Sequence, residues 1–411
     1  MRILHVTIFG EQGTGASKAY DACWRGISDL AYVIVVKPGE VDRLSGKGTS
    51  YEELKLATPR PSDHSSFREV VRRLFGARAP QMMADLDDMV RGLVLSFRLR
   101  GVMQACDRIH SDSMWFTTWA SLRPSLRRKL VHTELAGDWK FVSDGTADSL
   151  TYLSYGVLAR RVLDRVSVIA QSEVHAELLV SCGVDRRRVR VVRHGRVDSS
   201  VFHPTSPKDT GTFSVLFVGR IVPQKGVHVL LEALRGMVSD LPGANISVTV
   251  VGPVGEFGVV LTTSDYLENL TKSVERFGLT EVVHFRYFVR LEDLVDLYSS
   301  ASVYVLPSLQ DAFPFSVIEA MMCGTPVIGT SSGGMKEQIE DGVTGFVVPP
   351  GDPDALREKL EVLYRDSVLL GRMSLAARSS ALARFPLEGF SAEMFDAVVS
   401  GHGETAGGWI R

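Results

Sequence analysis

Four charged residues in two short stretches could do chemistry together. The first stretch, Phe217-Val-Gly-Arg220-Ile-Val-Pro-Gln-Lys225-Gly226, places a guanidinium and an ammonium just past an apolar run. The second, Asp311-Ala312-Phe313-Pro314-Phe315-Ser316-Val317-Ile318-Glu319-Ala320, spaces two carboxylates eight residues apart. A guanidinium binds two phosphate oxygens as a fork and an ammonium adds a compact point charge, so Arg220 and Lys225 suit a departing nucleoside diphosphate. Fixed cations in a dry site can stabilise that leaving group without a metal. Asp311 and Glu319 add acceptors for sugar and ribose hydroxyls. Singly, each of these residues reads equally as a solvated surface charge or a turn acid. Their joint occurrence points to nucleotide-sugar chemistry.

The surrounding sequence supplies elements that would hold these groups. Residues 215–218 are an apolar run closed by Gly219, and residues 226–234 open a helical pattern, so Arg220 and Lys225 fall in a strand-to-helix connection. Open α/β sheets bind ligands at such connections. Asp311 follows a strand over 303–306. Pro314 suits the first position of a helix running toward Cys323, whose first-turn N–H groups on Phe315, Ser316 and Val317 could receive phosphate or a hydroxyl. Short apolar runs at 248–251, 303–306, 326–329 and 345–348 alternate with helical patterns at 291–300 and 352–364, which predicts a covered parallel sheet. The amino-terminal half begins likewise: a strand over 3–8, a loop carrying Gly13 and Gly15, a helix over 16–30 and a strand near 32–36. The Gly13-Thr14-Gly15 turn fits a dinucleotide fold or a tight turn, but Lys37-Pro38-Gly39 ends the second strand where NAD binding calls for an acid.

The chain resembles the retaining glycosyltransferases of family 4 (glycosyl transferases group 1), which have the α/β GT-B fold of two Rossmann-like domains with parallel sheets facing a central cleft. The resemblance rests on Gly219-Arg220 with Lys225-Gly226, on Leu306-Pro307-Ser308, on Asp311 and Glu319 at the family's acid spacing, on Cys323-Gly-Thr-Pro-Val-Ile, and on Gly333-Gly334 with Glu337. Upstream, Gly183-Val-Asp through Val191-Val192, Val197-Asp198 and Phe202-x-Pro204 resemble the crossover between the family's domains. It implies an amino-terminal acceptor domain over 1–203, a donor domain over 204–385, and a final segment, 386–411, crossing back to the first.

The family's pattern implies these site roles. Arg220 and Lys225 would bind the donor diphosphate, Glu319 the ribose, and Asp311 with the backbone of Ala312, Phe313, Pro314, Phe315 and Ser316 the transferred sugar. Gly219, and Gly13 and Gly15 on the opposite wall, would allow close backbone approach. His132, in Leu130-Val131-His132-Thr133-Glu134, matches a sugar-facing histidine, with Glu134 and Asp138 as further candidates to orient an acceptor hydroxyl. A histidine at a strand end is as readily structural. The sequence departs from the pattern at Asp311, where Glu is usual, at Pro314, where Gly is common, and at His194-Gly195-Arg196, which replaces an Asn-Gly step.

The implied reaction is metal-independent, retaining transfer of a hexose-type sugar from a UDP- or GDP-sugar to a hydroxyl of a glycan, lipid-linked saccharide or small molecule. No cofactor or metal is expected, since no Asp-x-Asp motif of the metal-dependent kind is recognised. An epimerase or hydrolase on the same fold and an inactive scaffold are the alternatives.

Composition agrees with an enzyme of two domains. The 411 residues exceed the size at which one core stops growing, and 45% are apolar. Residues 1–205 carry a net charge of +7 and the rest −9, within a total of −2. A basic acceptor domain suits an anionic acceptor or membrane surface. Residues 67–103 combine helical spacing with seven arginines, a pattern shared by helices lying on anionic membranes and by solvated helices packed on a sheet. Residues 40–66 are rich in Ser, Gly, Thr and Pro and read as a loop. Nucleic acid is not expected, for want of aromatic interleaving. The first strand begins directly after Met1-Arg2 and four cysteines show no pairing or metal spacing, so a cytoplasmic protein is expected, with peripheral contact at the inner membrane face open to it.

Overall fold

The computed structural model describes residues 1–7, 23, 24, 27, 31–38, 42–45, 51–56, 79–134, 160–205, 208, 211–252, 263–287 and 289–400. The chain divides into two compact units, Met1–His194 with Gly389–Arg411, and Gly195–Glu388. Among the described residues each unit is built on one sheet.

The strands of the first unit are β1 (Arg2–Val6), β2 (Tyr32–Pro38), β3 (Asp42–Ser45), β4 (Tyr51–Leu56), β5 (Arg108–Ser111), β6 (Leu130–Glu134), β7 (Ser167–Ala170) and β8 (Val189–Val191). Their order is β3-β4-β2-β1-β5-β6-β7-β8, parallel except for the β3–β4 pair. The order reverses at β1, so the carboxyl ends of β1 and β5 flank the position where open α/β sheets gather ligands. All five residues of β6 and all four of β7 are buried, as continuous apolar or hydrogen-bonded strands between covering helices must be.

Two expectations change here. The segment 40–66 is not all loop: β3 and β4 form an antiparallel pair that extends the sheet beyond β2. Glu52, Glu53 and Lys55 broke the apolar alternation that would have announced β4. The long basic helical stretch is a helix over Ala79–Arg98 followed by a short one over Arg100–Ala105, and residues 67–78 lie outside the described residues. The first of these packs on the helix Met114–Ser121, with Trp119 Nε1 donating to the Met89 carbonyl at 3.2 Å. The final helix, Phe390–Ser400, is tied to the first unit: Arg108 donates through Nε and Nη2 to the Val399 carbonyl (3.0 and 2.6 Å), and Arg190 pairs with Asp396.

The second unit has six strands, β9 (Phe213–Val218), β10 (Ile246–Val251), β11 (Val283–Arg286), β12 (Val303–Leu306), β13 (Val327–Thr330) and β14 (Gly345–Val348), all parallel in the order β11-β10-β9-β12-β13-β14. Helices at Val227–Asp240, Thr263–Arg276, Leu291–Ser300, Phe315–Met322, Met335–Gln338, Pro353–Arg365 and Ser367–Arg384 cover it. The strand over 303–306 and the helix over 291–300 fall where the apolar patterning places them. Again the order reverses beside the first strand, between β9 and β12, and both phosphate and acid stretches leave the sheet there.

Candidate active site

The segment after β9 turns sharply at Gly219, whose N–H bonds the Val251 carbonyl at 2.9 Å, and then forms a short 3₁₀ turn over Pro223–Lys225. Gly226 follows with φ 72°, a left-handed conformation open to glycine, and starts the helix Val227–Asp240. A Cβ at Gly226 would lie 2.0 Å from the Pro307 carbonyl oxygen. This close approach, with Leu309 N–H donating to the Gln224 carbonyl at 2.8 Å, joins the phosphate stretch to the chain leaving β12. The two sequence motifs therefore share one carboxyl-end surface.

On that surface Lys225 Nζ forms an ion pair with Asp311 Oδ2, both side chains being largely buried. Ser308 Oγ donates to the same carboxylate oxygen at 3.2 Å, and the Asp311 N–H donates to Ser332 Oγ at 3.1 Å. Gly333 and Gly334 make room for this loop: a Cβ on Gly333 would lie 1.7 Å from the Asp311 carbonyl oxygen, and Gly334 N–H bonds the Ala312 carbonyl at 2.7 Å. Arg220 is exposed and has no side-chain partner among the described residues. Arg220 and Lys225 are thus unequal: Lys225 is held by Asp311, while Arg220 is exposed.

Pro314 stands one position earlier than expected. It is the N-cap of the helix Phe315–Met322, with ψ 123°, rather than its first residue. A proline in that place offers no side-chain oxygen, so no side chain caps the first turn, and the N–H groups of Phe315, Ser316 and Val317 begin the helix uncapped by one. This leaves a helix start suited to an anion. Phe313 is a buried core residue packed edge-on against Phe385, so only its backbone can face a ligand. Tyr304 Oη donates to the Val218 carbonyl (3.0 Å) and shares a hydroxyl–hydroxyl hydrogen bond with Ser316 Oγ (2.7 Å), which ties the start of Phe315–Met322 to the end of β9.

Glu319 lies deeper than a helix-surface carboxylate, at 9% exposure. Tyr298 Oη donates to its Oε2 at 2.8 Å. Burial pushes the Glu319 carboxyl up to about 7, opposed in part by that hydrogen bond. Tyr298 and Ser332 were not legible as site residues, because each lies in a different element and has a side chain that serves equally well on any surface.

In the first unit His132 is 1% exposed, with Nδ1 3.0 Å from Thr117 Oγ1 and Nε2 3.2 Å from Glu134 Oε2. Both ring nitrogens are engaged, so a contact between His132 and a sugar requires one of these partners to be displaced. Glu134 is itself 2% exposed. Gly13, Gly15 and Asp138 lie outside the described residues. The sequence does contain two Asp-x-Asp pairs, and both are bound up with helices. Asp85-Leu86-Asp87 lies inside the helix Ala79–Arg98. Asp352-Pro353-Asp354 begins Pro353–Arg365, with Asp352 capping the Ala355 N–H at 2.9 Å.

A cavity of about 440 Å³ borders β11, lined by Arg286, Val289, Asp293, Asp296, Leu297 and Ser300. Its Arg286 and Val289 end lies at the carboxyl edge, while Ser300 precedes β12 at the opposite edge. The cavity therefore runs along the sheet's flank, and only one end of it borders the strand ends that carry Lys225 and Asp311.

Residues 198–380 match the model of the family described as glycosyl transferases group 1. Curated relatives include the D-inositol 3-phosphate glycosyltransferases of Streptomyces avermitilis, 34% identical over 54% of this chain and 51% of that protein, and of Mycolicibacterium smegmatis, 34% identical over 52% and 49%. The chain thus matches about half the length of these relatives. Solved structures with the same fold cover 97% of the chain. The Anabaena protein HepE, in complex with UDP, has a TM-score of 0.71 at 20% identity, matched over 100% of its length. An Escherichia coli protein bound with UDP-2-fluoro glucose has 0.74 at 12%, matched over 99%. Residues 198–380 thus match the group 1 model, and over nearly its whole length the chain has the GT-B fold of these solved structures.

Proposed function

We propose that this protein transfers a hexose-type sugar from a nucleoside-diphosphate sugar, UDP- in preference to GDP-linked, to a hydroxyl of a glycan, lipid-linked saccharide or small-molecule acceptor, with retention at the anomeric carbon. The observation that carries this reading is the Lys225–Asp311 ion pair beside the uncapped start of Phe315–Met322. The preference for UDP draws on HepE, solved with UDP and with UDP-glucose. The curated relatives' name, with its phosphorylated inositol, and the excess positive charge of residues 1–205 favour an anionic acceptor.

In this reading the donor diphosphate draws Lys225 away from Asp311 and recruits the exposed Arg220. The helix start adds N–H donors. Freed from its ammonium partner, the Asp311 carboxylate accepts a hydroxyl of the transferred sugar, and Glu319 accepts from the ribose. The acceptor oxygen bonds to the anomeric carbon on the face from which the phosphate oxygen leaves. The acceptor proton passes to that phosphate oxygen, so no protein carboxylate need act as base, and no metal or cofactor is called for. His132, with Glu134, is proposed to orient the sugar or acceptor.

Incubation of the protein with UDP-glucose and candidate acceptors, followed by proton NMR of the product's anomeric coupling, tests this. An α-linked product from the α-linked donor is expected. A β-linked product contradicts the proposed mechanism, and donor consumption without a glycoside would favour an epimerase or hydrolase.

A further inference from the structure

Two of the most exposed large apolar side chains among the described residues are linked through a single arginine. Phe97, at the end of Ala79–Arg98, is 64% exposed, and Leu122, just after Met114–Ser121, is 58% exposed. The Arg123 guanidinium sits 5.4 Å from the centroid of the Phe97 ring and so bridges the two elements. Arg127 Nε donates to the Ser121 carbonyl at 2.8 Å and pins the turn that presents Leu122. Exposing both side chains forfeits the burial that an apolar residue ordinarily gains, which points to a partner for them.

The sequence that carries this pair is mainly basic. Arg98, Arg100 and Arg128 are exposed and Arg123 and Arg127 half-buried, and residues 97–129 hold seven Lys and Arg against two Asp. Of those acids, Asp107 accepts from the Arg2 N–H at 2.8 Å and Asp112 is buried, accepting from Thr7 at 2.6 Å. Two exposed apolar side chains, one with a guanidinium over its ring and exposed arginines next to them in sequence, match a surface with anionic heads over a hydrocarbon interior. Guanidinium groups bind the heads while their stems and the apolar residues enter the boundary.

Topology places this surface at the sheet edge opposite Glu134 of the same unit. Arg100–Ala105 leads into the amino end of β5, and Pro124–Arg127 into the amino end of β6. Phe97, Leu122 and their arginines therefore lie at the amino-terminal edge of the sheet, whereas Glu134 lies at the carboxyl end of β6. Docking through this edge leaves the carboxyl ends of the strands open.

We propose that Phe97 and Leu122, with Arg98, Arg100, Arg123 and Arg128, form a docking surface for an anionic lipid bilayer. It deepens the anionic-partner part of the proposed function but is independent of the donor chemistry. No helix of the described residues is long and apolar enough to cross a membrane, so the association is peripheral.

The test is co-sedimentation of the full chain with phosphatidylcholine vesicles, with and without about one third phosphatidylglycerol, in about 0.1 M salt. Binding to the anionic vesicles should exceed that to phosphatidylcholine by about tenfold or more and fall as salt rises. Phe97→Ser with Leu122→Ser should lower it about tenfold, and Arg100→Gln with Arg128→Gln about 25-fold, at roughly fivefold per charge removed. Both double variants change exposed side chains and should keep the wild-type melting temperature and nucleotide binding. Equal binding to the two vesicle types, full binding by either variant, or no binding to anionic vesicles overturns the proposal. A concentration-dependent dimer that Phe97→Ser with Leu122→Ser abolishes, with no vesicle binding, would assign the surface to a second copy of the chain instead. Loss of transfer with vesicle binding intact would count against the proposed function alone.

Discussion

Donor binding should be linked to the release of a proton from Glu319. Its carboxyl is buried and raised to about 7, while Tyr298 Oη holds one oxygen at 2.8 Å. A ribose diol donates its hydroxyl protons, so it binds the ionised form, and binding must lower the carboxyl's pKa. Affinity for a nucleotide sugar, whose diphosphate does not itself titrate near neutrality, should therefore rise with pH up to about 7 and level off above it. With one proton linked, the gain between about pH 6 and 8 is about tenfold, equivalent to about 1.4 kcal/mol. The sign for folding is the reverse. A raised carboxyl stabilises the empty protein fully below the unfolded value of 4.5, and that contribution, about 3 kcal/mol at most, is lost as pH rises through 7. Tyr298→Phe removes a hydrogen bond that favours the ionised form and should move the inflection upward by about one unit, since a hydrogen bond to a charged group is worth about 1.5 to 3 kcal/mol. Calorimetric titration with UDP-glucose in two buffers of different ionisation heat measures both affinity and protons released. Affinity that stays flat from about pH 5.5 to 8.5, or an inflection that Tyr298→Phe leaves in place, would refute Glu319 as the linked ribose ligand.

Three other outcomes follow from particular contacts. Lys225→Ala should lower kcat by about 100- to 1000-fold, the scale for losing one group aimed at a developing anion; steady-state assay of a folded variant with wild-type turnover would remove Lys225 from the mechanism. Gly226→Ala should cost about 2 kcal/mol or more in urea unfolding, because φ 72° is strained for alanine and its Cβ would meet the Pro307 oxygen 2.0 Å away; a loss under about 0.5 kcal/mol would contradict that close approach. Lys208 Nζ donates to the Ala301 carbonyl and to Thr325 Oγ1, and burial lowers it from 10.5 to about 8. Between those two values the unfolded chain binds the extra proton, so stability should rise with pH across that window, and Lys208→Met should flatten the rise in denaturant unfolding.

The parts of this protein legible in its sequence are those where one kind of signal decides the matter. The strand 303–306 and the helix 291–300 fall where their apolar periodicity puts them, because both bury their apolar residues in the core of the second unit. The proximity of Lys225 to Asp311 was implied by two strand-end motifs, since neighbouring parallel strands bring their carboxyl ends together. What escaped depends on contacts between distant elements. Tyr298 reaches Glu319 across 21 residues of sequence, and nothing local to either residue announces the pair. His132 reads from the sequence as a sugar-facing or a structural histidine alike, and its neighbours Thr117 and Glu134 at the two ring nitrogens emerge only once the sheet is assembled. The strand β4 stayed hidden because charged residues fill positions where a half-buried strand shows apolar alternation, and its place is set by pairing with β2.

The central claim is that Arg220 and Lys225 hold a nucleoside diphosphate without a metal. It is tested most directly by thermal stabilisation with UDP, GDP, ADP, CMP and NAD in the presence of a chelator, comparing the wild-type protein with an Arg220→Ala/Lys225→Ala double variant. Stabilisation by one nucleoside diphosphate, UDP on the present reading, that the double variant loses is the expected result; at a ligand concentration of about 100 Kd it amounts to about 2.7 kcal/mol. No stabilisation by any of them, or stabilisation that survives in the double variant, would contradict the claim.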